Sequence, residues 1–302
     1  MEINNVLVAD AVDGACVNLL KQNSINIDCK YKLSKEELIK EITKYDGLIV
    51  RSDTKVTEEV IAAGSKLKVI GRAGAGVDNI DVDAATKHNV VVLNTPGGNA
   101  ISACELTCTL ITSLARNVVP GAASLKAGRW DRKLFSGHEI YGKVLGIVGL
   151  GRIGREVAIR MQAWELDQIW PIADYITLHV PLLAETRNLI NAKVLARCKK
   201  GVKIVNVARG GIIDENALYD ALESGQCNGA GLDVYEQEPP TDEVTWKLIK
   251  HSKVIATPHL GASTSEAQVR VAVEVAEQFV ALTKRNPSFT STNGVINSVV
   301  IQ

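Results

Sequence analysis

The chain has 302 residues, in which 34 lysines and arginines balance 34 aspartates and glutamates, and 46% of the residues are hydrophobic. At roughly 100–200 residues per domain, this length predicts about two domains, each large enough to bury its own core. The zero formal charge and the 4% aromatic content argue against nucleic acid as a partner, and no apolar run reaches the roughly 18 residues that a membrane span needs.

The N-terminus enters an apolar run at Val6 without a preceding basic region, so we expect no signal peptide. The six cysteines are scattered and form no Cys-x-x-Cys pair. Cys104 and Cys108 are one helical turn apart, but no histidine joins them, so we expect small buried thiols and no metal site. Together these features predict a cytoplasmic protein in a reducing compartment.

In the first third of the chain, β-branched runs alternate with helix-like stretches. The predicted strands are residues 6–9, 47–50, 67–70 and 90–93, and the predicted helices are residues 12–21, 35–44, 58–63 and 83–87. This alternation predicts a parallel sheet that is covered by helices on both faces. The α/β unit should end near Asn94, and the breaker cluster from Thr95 to Asn99 is typical of a hinge.

A second series of elements follows the breaker cluster. Ser102 and Glu105 have the spacing of a capping box, which predicts a long helix over residues 102–117. Five further strands are predicted at residues 144–148, 175–180, 203–207, 229–233 and 254–256. A last long helix is predicted over residues 263–285, and the tail at residues 293–301 has the pattern of a strand. The fold class is therefore α/β, with two doubly wound parallel sheets.

A glycine motif, Gly149-x-Gly151-x-x-Gly154, directly follows the predicted strand at residues 144–148 and opens a helical pattern. In this context Gly149 permits a tight turn, Gly151 lets the backbone approach a pyrophosphate, and Gly154 allows the helix to pack closely on the strand. The N-terminus of the helix attracts the anion. The motif thus predicts a dinucleotide-binding loop, with a glycine-rich turn that binds nothing as the alternative.

This fingerprint normally continues with a second strand that carries an acid for the ribose, about 20 residues further on. Here the helix ends near Trp164 and the next strand begins at Tyr175, which leaves no room for that strand. Asp174 has the expected spacing, but it precedes its strand, whereas ligands bind beyond the carboxyl ends of such strands. We therefore infer that the second strand is missing near residues 164–166 and expect a spatial break there, since deleting it would unpair the backbone of its neighbours.

Polar side chains follow three successive predicted strands. Arg209 comes after residues 203–207, Glu238 lies in the acidic loop after residues 229–233, and His259 comes after residues 254–256. In hydride transfer a histidine exchanges the alcohol proton, a carboxylate orients the histidine, and an arginine binds the substrate carboxylate. Each residue alone has an ordinary alternative, such as a surface ion pair or a loop histidine. Behind a dinucleotide loop, the three together predict a dehydrogenase site.

At these residues the chain resembles the D-isomer-specific 2-hydroxyacid dehydrogenases, from its first strand to about residue 285. The resemblance is carried by Arg51-Ser52-Asp53-Thr54-Lys55-Val56-Thr57, Gly71-Arg72-Ala73-Gly74-Ala75-Gly76-Val77-Asp78-Asn79, residues 142–154, Cys198-Lys199-Lys200-Gly201, residues 208–211 and residues 258–262. It implies a flavodoxin-like substrate-binding domain of residues 1–97 and 263–302. A Rossmann-like NAD-binding domain of residues 98–262 would be inserted into it.

The resemblance also implies roles for individual residues. Arg209, Glu238 and His259 would be the catalytic residues. Besides the three glycines, the implied NAD contacts are Ala75, Arg152, Ile153, Val180, Val207, Ala208, Arg209, Asp233, His259, Leu260, Gly261 and Ala262. The implied substrate contacts are Arg51, Ser52, Gly74 and Asn99, and Arg132 would reach the substrate phosphate of a neighbouring subunit.

The activity that the resemblance implies is the NAD-dependent oxidation of D-3-phosphoglycerate to 3-phosphohydroxypyruvate, which begins phosphorylated serine biosynthesis. The alternatives are a glyoxylate or hydroxypyruvate reductase of the same family and a corepressor-like protein that senses a dinucleotide without catalysis. Arg51 and Arg132 suit a phosphate and favour the first activity. The choice of NAD over NADP rests on the resemblance alone, because the strand with the ribose acid is missing.

The resemblance bears on assembly and regulation as well. The helix at residues 102–117 and the segment at residues 128–130 suit a symmetric contact, so we expect a homodimer or a larger homo-oligomer. Ala75 and Gly97 stand where related proteins often carry polar residues, so small local contacts should differ. We expect no regulatory domain after residue 302, and therefore no serine feedback through such a domain.

Overall fold

The structure is a computed structural model that describes residues 1–161, 169–283 and 296. The strands are β1 (Asn5–Val8), β2 (Asn26–Cys29), β3 (Gly47–Val50), β4 (Val69–Arg72), β5 (Val91–Asn94), β6 (Leu145–Val148), β7 (Tyr175–Leu178), β8 (Val202–Asn206), β9 (Cys227–Leu232) and β10 (Val254–Ala256). The helices are α1 (Gly14–Gln22), α2 (Lys35–Ile42), α3 (Glu58–Ala63), α4 (Val82–Lys87), α5 (Ala100–Arg116), α6 (Val118–Lys126), α7 (Arg152–Met161), α8 (Ile169–Ile172), α9 (Ala192–Arg197), α10 (Glu215–Glu223), α11 (Glu243–Lys250) and α12 (Ser265–Thr283).

The chain divides into two compact units. The first unit consists of Met1–Asn99 and Thr264–Gln302, and the second unit is Ala100–Ser263. Each unit contains its own five-stranded sheet and its own helices.

The first unit contains a parallel sheet with the strand order β2-β1-β3-β4-β5, the order typical of flavodoxin-like folds. Helices α1 and α12 pack on one face, where Leu20, Val275 and Phe279 are buried. Helices α2 to α4 cover the other face through side chains such as Leu38 and Ile61. The predicted fold of this unit is confirmed, and its strands are buried on both faces as a parallel sheet requires.

The second unit contains a parallel sheet with the strand order β10-β9-β8-β7-β6. Leu110 and Leu114 of α5 pack on one face of this sheet, and Leu218 and Leu222 of α10 belong to the core on the other face. The doubly wound architecture is therefore confirmed. In the described part of the sheet β6 pairs with β7 alone. The missing strand and the expected break near residues 164–166 lie outside the described residues.

Two predicted helix starts are wrong. Helix α5 begins at Ala100, so Ser102 is a buried residue inside the helix and not its cap. Helix α12 begins at Ser265, and the hydroxyl of Thr264 accepts a hydrogen bond from the N–H of Ala267 at 3.2 Å, so the cap is one residue later than predicted. The tail strand at residues 293–301 lies outside the described residues except for Ile296, whose N–H donates to the Val92 carbonyl at 2.8 Å.

All six cysteines are free. Four are buried as expected, and Cys108 of α5 is partly exposed. Cys29 is exposed because its strand β2 lies at the edge of the sheet. Among the described residues, no group of three or more histidine, cysteine or acidic side chains is arranged to hold a metal ion. Over the same residues, none of the helices has both the length and the apolar character required to cross a lipid bilayer.

Candidate active site

The three polar residues that follow successive strands lie at one edge of the second sheet. Arg209 follows β8, Glu238 lies in the loop after β9, and His259 follows β10. Strands β8, β9 and β10 are neighbours and parallel, so their carboxyl ends meet at the same edge. This is the edge at which doubly wound sheets bind their ligands.

His259 and Glu238 form a close pair at this edge. The Nδ1 atom of His259 lies 2.6 Å from Oε2 of Glu238, and the side chains are 45% and 34% exposed, so the pair is open to a ligand. The other oxygen of Glu238 accepts the N–H of Tyr235 at 3.0 Å. Because the ionised carboxylate accepts, Nδ1 carries the proton, and Nε2 is the ring nitrogen available for proton exchange with a substrate.

Arg209 contributes to the electrostatics of the same pair. Burial raises the pKa of Glu238, but the hydrogen bond and charge of His259, the N–H of Tyr235 and the charge of Arg209 outweigh it, so this pKa lies below its ordinary value. Glu238 therefore stays ionised and keeps His259 oriented. The influence of His259 and Arg209 on the pKa of one carboxylate supports a convergent arrangement of the three side chains.

The loop that presents His259 is held by the buried carboxylate of Asp233. Asp233 is fully buried and accepts the Thr257 hydroxyl at 2.6 Å, the Leu260 N–H at 2.7 Å and the Gly261 N–H at 2.8 Å. Its main-chain carbonyl accepts the N–H of His259 at 2.9 Å. His259 itself has φ 53, a left-handed conformation that few non-glycine residues adopt, so these bonds hold a strained backbone.

The loop of Arg209 is held in a similar way by Asn206. The amide of Asn206 donates to the Arg209 carbonyl at 2.9 Å, and its oxygen accepts the Ala208 N–H at 3.0 Å. Gly210 lies directly against the carbonyl of Tyr235, where any Cβ would clash with the backbone. A side chain at this position would therefore push apart the loops that carry Arg209 and Glu238.

The glycine motif forms the predicted turn between β6 and α7. Gly149 has φ 97 and packs against the carbonyl of His179, and Gly154 packs against the carbonyl of Gly149. By contrast, a Cβ on Gly151 would meet nothing within 4 Å, so the backbone there is open. This open backbone at the N-terminus of a ten-residue helix fits a pyrophosphate.

His179 lies behind this turn and was not predicted as a site residue. Its Nε2 lies 3.0 Å from the Thr177 hydroxyl, and among the described residues its buried Nδ1 has no hydrogen-bond partner. Burial lowers the pKa of His179 to about 4, so the ring is neutral at physiological pH. Asp174 is a structural residue: it accepts the Val144 N–H at 3.0 Å and pairs with Lys199 at 2.8 Å.

The remaining implied NAD contacts lie mostly at this edge of the second unit, at the ends of its strands and in the turn before α7. Arg152 and Ile153 begin α7, Val180 follows β7, and Val207 and Ala208 follow β8 as buried residues. Leu260, Gly261 and Ala262 continue the loop of His259. Ala75 belongs to the first unit, where its carbonyl accepts the side-chain amide of Asn94 at 2.5 Å.

The predicted substrate contacts lie mainly in the first unit. Arg51 and Ser52 follow β3, and Gly74 follows β4, where it packs against the guanidinium of Arg72. The side-chain oxygen of Asn99 is buried and has no hydrogen-bond partner among the described residues. Arg132 belongs to the second unit and is exposed in the segment between α6 and β6.

The pattern of residues missed Thr257 and Asn206, which position the loops of His259 and Arg209. Both lie within or next to the quoted motifs, but a threonine or an asparagine after a strand is also an ordinary turn residue. Their roles depend on the atoms with which they form hydrogen bonds, and the sequence pattern does not indicate these contacts.

The chain belongs to the family of D-isomer specific 2-hydroxyacid dehydrogenases: the model of the catalytic domain of this family matches residues 6–293. The family resemblance of the motifs is thereby confirmed. D-3-phosphoglycerate dehydrogenase of Rattus norvegicus is 50% identical to the chain over 320 positions, which cover 98% of this chain and 59% of that protein. The chain thus spans about three fifths of the length of this curated relative. Because the alignment exceeds the 302 residues of the chain, the relative also has residues without a counterpart here.

Two solved structures are similar to this chain over nearly its full length. A glyoxylate reductase from Paecilomyes thermophila has a TM-score of 0.85 at 28% identity and covers 99% of both chains. An NAD-dependent formate dehydrogenase from Staphylococcus aureus, solved in complex with NAD, has a TM-score of 0.85 at 27% identity and covers 99% of this chain and 100% of its own.

Proposed function

We propose that this chain catalyses the oxidation of D-3-phosphoglycerate to 3-phosphohydroxypyruvate with NAD, as an enzyme of serine biosynthesis. The observation that carries the proposal is the 2.6 Å pair of His259 and Glu238 beside Arg209, at the ligand-binding edge of the sheet. The names of the relatives support the substrate, since the curated proteins that match nearly the whole chain are D-3-phosphoglycerate dehydrogenases.

NAD fits the glycine turn, because Gly151 leaves its backbone open and Gly149 and Gly154 close the turn behind it. The cofactor would be held by this turn, by Val180, and by the loops of Arg209 and His259. When bound, NAD supplies the acceptor for the hydride that leaves C2 of the substrate. In this proposal residues 98–262 form the NAD-binding domain, and residues 1–97 and 263–302 form the substrate-binding domain.

The residues of the chain supply the acid–base chemistry. The neutral Nε2 of His259 takes the proton of the 2-hydroxyl group, and Glu238 stabilises the imidazolium that results. The guanidinium of Arg209 holds the substrate carboxylate in two parallel hydrogen bonds. Arg51 binds the phosphate, with Ser52, Gly74 and Asn99 as further substrate contacts, and Arg132 serves the substrate of a neighbouring subunit.

The test is the oxidation of NADH with 3-phosphohydroxypyruvate and, in parallel, with glyoxylate. The proposal predicts a much higher kcat/KM for 3-phosphohydroxypyruvate, because a phosphate is a ligand for Arg51 that glyoxylate lacks. Equal values for the two, or a preference for glyoxylate, would support a reductase of the same family. Tight binding of NADH without turnover of either would support a dinucleotide-sensing binding protein.

Assembly and location are part of the proposal. Helix α6 and the segment after it expose large apolar side chains, among which Trp130 is 81% and Tyr141 is 92% exposed. A homodimer that covers this segment explains their exposure, since isolated monomers rarely show such patches. The six free thiols fit a reducing cytoplasm. A monomeric mass in analytical ultracentrifugation would contradict the dimer.

A further inference from the structure

Two polar side chains of the first unit contact the loop that carries Arg51, and the reaction described so far uses neither of them. The loop consists of residues 51–54 and follows β3. Asp10, which lies beyond the end of β1, is only 5% exposed. Asn79 lies in the turn after β4 and is distant in sequence from Asp10 and from the loop. A buried carboxylate is costly unless donors satisfy it, so the contacts of Asp10 need an explanation.

The carboxylate of Asp10 receives its hydrogen bonds from both ends of the loop. Its Oδ2 accepts the N–H of Arg51 at 2.6 Å and the N–H of Thr54 at 3.2 Å. Its Oδ1 accepts the hydroxyl of Thr54 at 2.6 Å. Asp10 therefore ties the first residue of the loop to the last one.

Asn79 binds the carbonyl groups of the same two residues. Its Nδ2 donates to the carbonyl of Arg51 at 2.7 Å and to the carbonyl of Thr54 at 2.7 Å. Its Oδ1 in turn accepts Nε of Arg72 at 3.2 Å, which fixes the orientation of the amide. The N–H and C=O groups of Arg51 and Thr54 are thus all bound by two side chains, which leaves the loop little conformational freedom.

The head of Arg51 is oriented as well, because its guanidinium donates to the side-chain oxygen of Gln268 on α12. The planar fork of an arginine recognises an oxyanion only in a narrow range of orientations. A loop that shifts by a fraction of an ångström would therefore weaken binding of the anion without harming the rest of the fold.

We infer that Asp10 and Asn79 are positioning residues that hold Arg51 and Ser52 in the geometry that binds the phosphate of the substrate. Through this loop they determine the preference for a phosphorylated 2-hydroxy acid over an unphosphorylated one. The inference rests on the proposed function, in which Arg51 binds the phosphate of 3-phosphoglycerate.

The test compares Asp10→Asn and Asn79→Asp with the wild type. An amide at residue 10 offers fewer acceptor sites and places a donor against the donors of the loop, and a carboxylate at residue 79 loses both donated bonds. We expect the KM and the calorimetric Kd for 3-phosphoglycerate to rise roughly tenfold, as for the loss of a hydrogen bond to a charged group. The kcat, the KM for unphosphorylated D-glycerate and the Kd for NADH should stay nearly unchanged.

Asp46→Asn is the matched control. Asp46 is also a buried carboxylate that accepts backbone N–H groups, those of Asn4 and Asn5 at 3.0 Å each, but it lies at the opposite, amino edge of the same sheet. This variant should lose stability without a change in the KM for 3-phosphoglycerate. If Asp10→Asn loses as much stability and likewise leaves this KM unchanged, Asp10 is merely structural and the inference is wrong.

Thr54 provides a second test if Asp10→Asn does not fold. Thr54→Val removes one bond to Asp10 and should raise the Kd for 3-phosphoglycerate, whereas Thr54→Ser keeps the hydroxyl and should restore it. An unchanged Kd in Thr54→Val would overturn the inference.

Measurement of binding also separates the inference from the proposed function. If the wild type binds 3-phosphoglycerate without turnover, the proposed function fails, while the ratio of the Kd values of variant and wild type still tests the positioning role. If the wild type does not bind it, both are wrong.

Discussion

His259 combines a strained backbone with a solvent-accessible ring. Its φ of 53 is held by bonds between its loop and Asp233, and its ring is held by Glu238. A strained residue that several hydrogen bonds hold in place is typical of an active site, which supports the catalytic role proposed for His259. The ring contributes little to the core, because 45% of the side chain remains exposed.

Replacement of His259 by alanine should therefore separate catalysis from binding. We expect kcat to fall by about 10²–10⁴-fold, the usual contribution of a general base, while the Kd for NADH changes little. Steady-state kinetics and fluorescence titration of NADH measure the two effects. Equal losses in both would count against the assigned role.

His251 offers the control for this variant. It also pairs with a glutamate, Glu223, at 3.0 Å in the same unit, but it precedes β10 at the opposite edge of the sheet. His251→Ala should leave kcat unchanged. A large loss of kcat in this variant would show that loss of any histidine–glutamate pair in the unit lowers kcat through stability. The loss of kcat in His259→Ala would then not identify a catalytic role.

The sequence predicted that Arg209, Glu238 and His259 lie at one edge of a sheet, because each follows a recognisable strand and the carboxyl ends of neighbouring parallel strands lie at the same edge. It could not predict the roles of Asp10 and Asn79. Their partners Arg51 and Thr54 lie between 25 and 44 residues away in the chain, and only the packed loops bring them together.

Among the elements, the turn between β6 and α7 contains glycines with different structural roles. Gly154 is needed for packing, because a Cβ there would clash with the carbonyl of Gly149. Gly151 faces open space, so the fold alone would accept a side chain at this position.

This difference predicts opposite behaviour of two alanine variants. Gly154→Ala should destabilise the chain by about 1–3 kcal/mol and also weaken NADH binding. Gly151→Ala should leave the free energy of unfolding nearly unchanged but weaken NADH binding roughly tenfold or more, because the Cβ blocks backbone hydrogen bonds to the pyrophosphate. Denaturant unfolding and NADH titration test both. Normal NADH affinity in Gly151→Ala would show that the dinucleotide binds elsewhere.

The elements that the sequence predicted well are strands with buried β-branched runs, such as β3 and β5. Strand β2 was missed because it lies at the sheet edge and is mostly exposed, so its residues show no apolar run. The predicted end of the long helix near Asn117 is confirmed, because α5 ends at Arg116 and Asn117 has the left-handed φ of 51. Helix α6, which follows it, was not predicted.

At the scale of the whole molecule, His179 should make the stability of the chain depend on pH. Its pKa of about 4 in the folded state lies below its ordinary value of 6.5, so between these values the unfolded chain binds a proton that the folded chain excludes. The contribution is therefore fully present above pH 6.5 and is lost as the pH falls towards 4, by up to about 1.4 kcal/mol per pH unit.

Denaturant unfolding between pH 7 and pH 4.5 measures this dependence. His179→Gln, which carries no titrating group, should unfold with a smaller loss of stability over the same range than the wild type. An identical pH dependence in the two proteins would mean that the ring of His179 is hydrated and titrates normally.

The overall organisation was accessible from the sequence, because two series of strands separated by a breaker cluster imply two doubly wound sheets. The strand orders confirm this architecture. The second strand of the second sheet stays a prediction, since the residues near 164–166 that bear on it lie outside the described part of the chain.

We propose that this chain transfers hydride between a nicotinamide cofactor and a phosphorylated 2-hydroxy acid. The most direct measurement uses NADH deuterated at both positions of C4, with 3-phosphohydroxypyruvate as the substrate and mass spectrometry of the product. We predict one deuterium at C2 of 3-phosphoglycerate for every NADH consumed. Saturable binding of NADH without any deuterated product would contradict it and would assign the chain to the dinucleotide-sensing proteins.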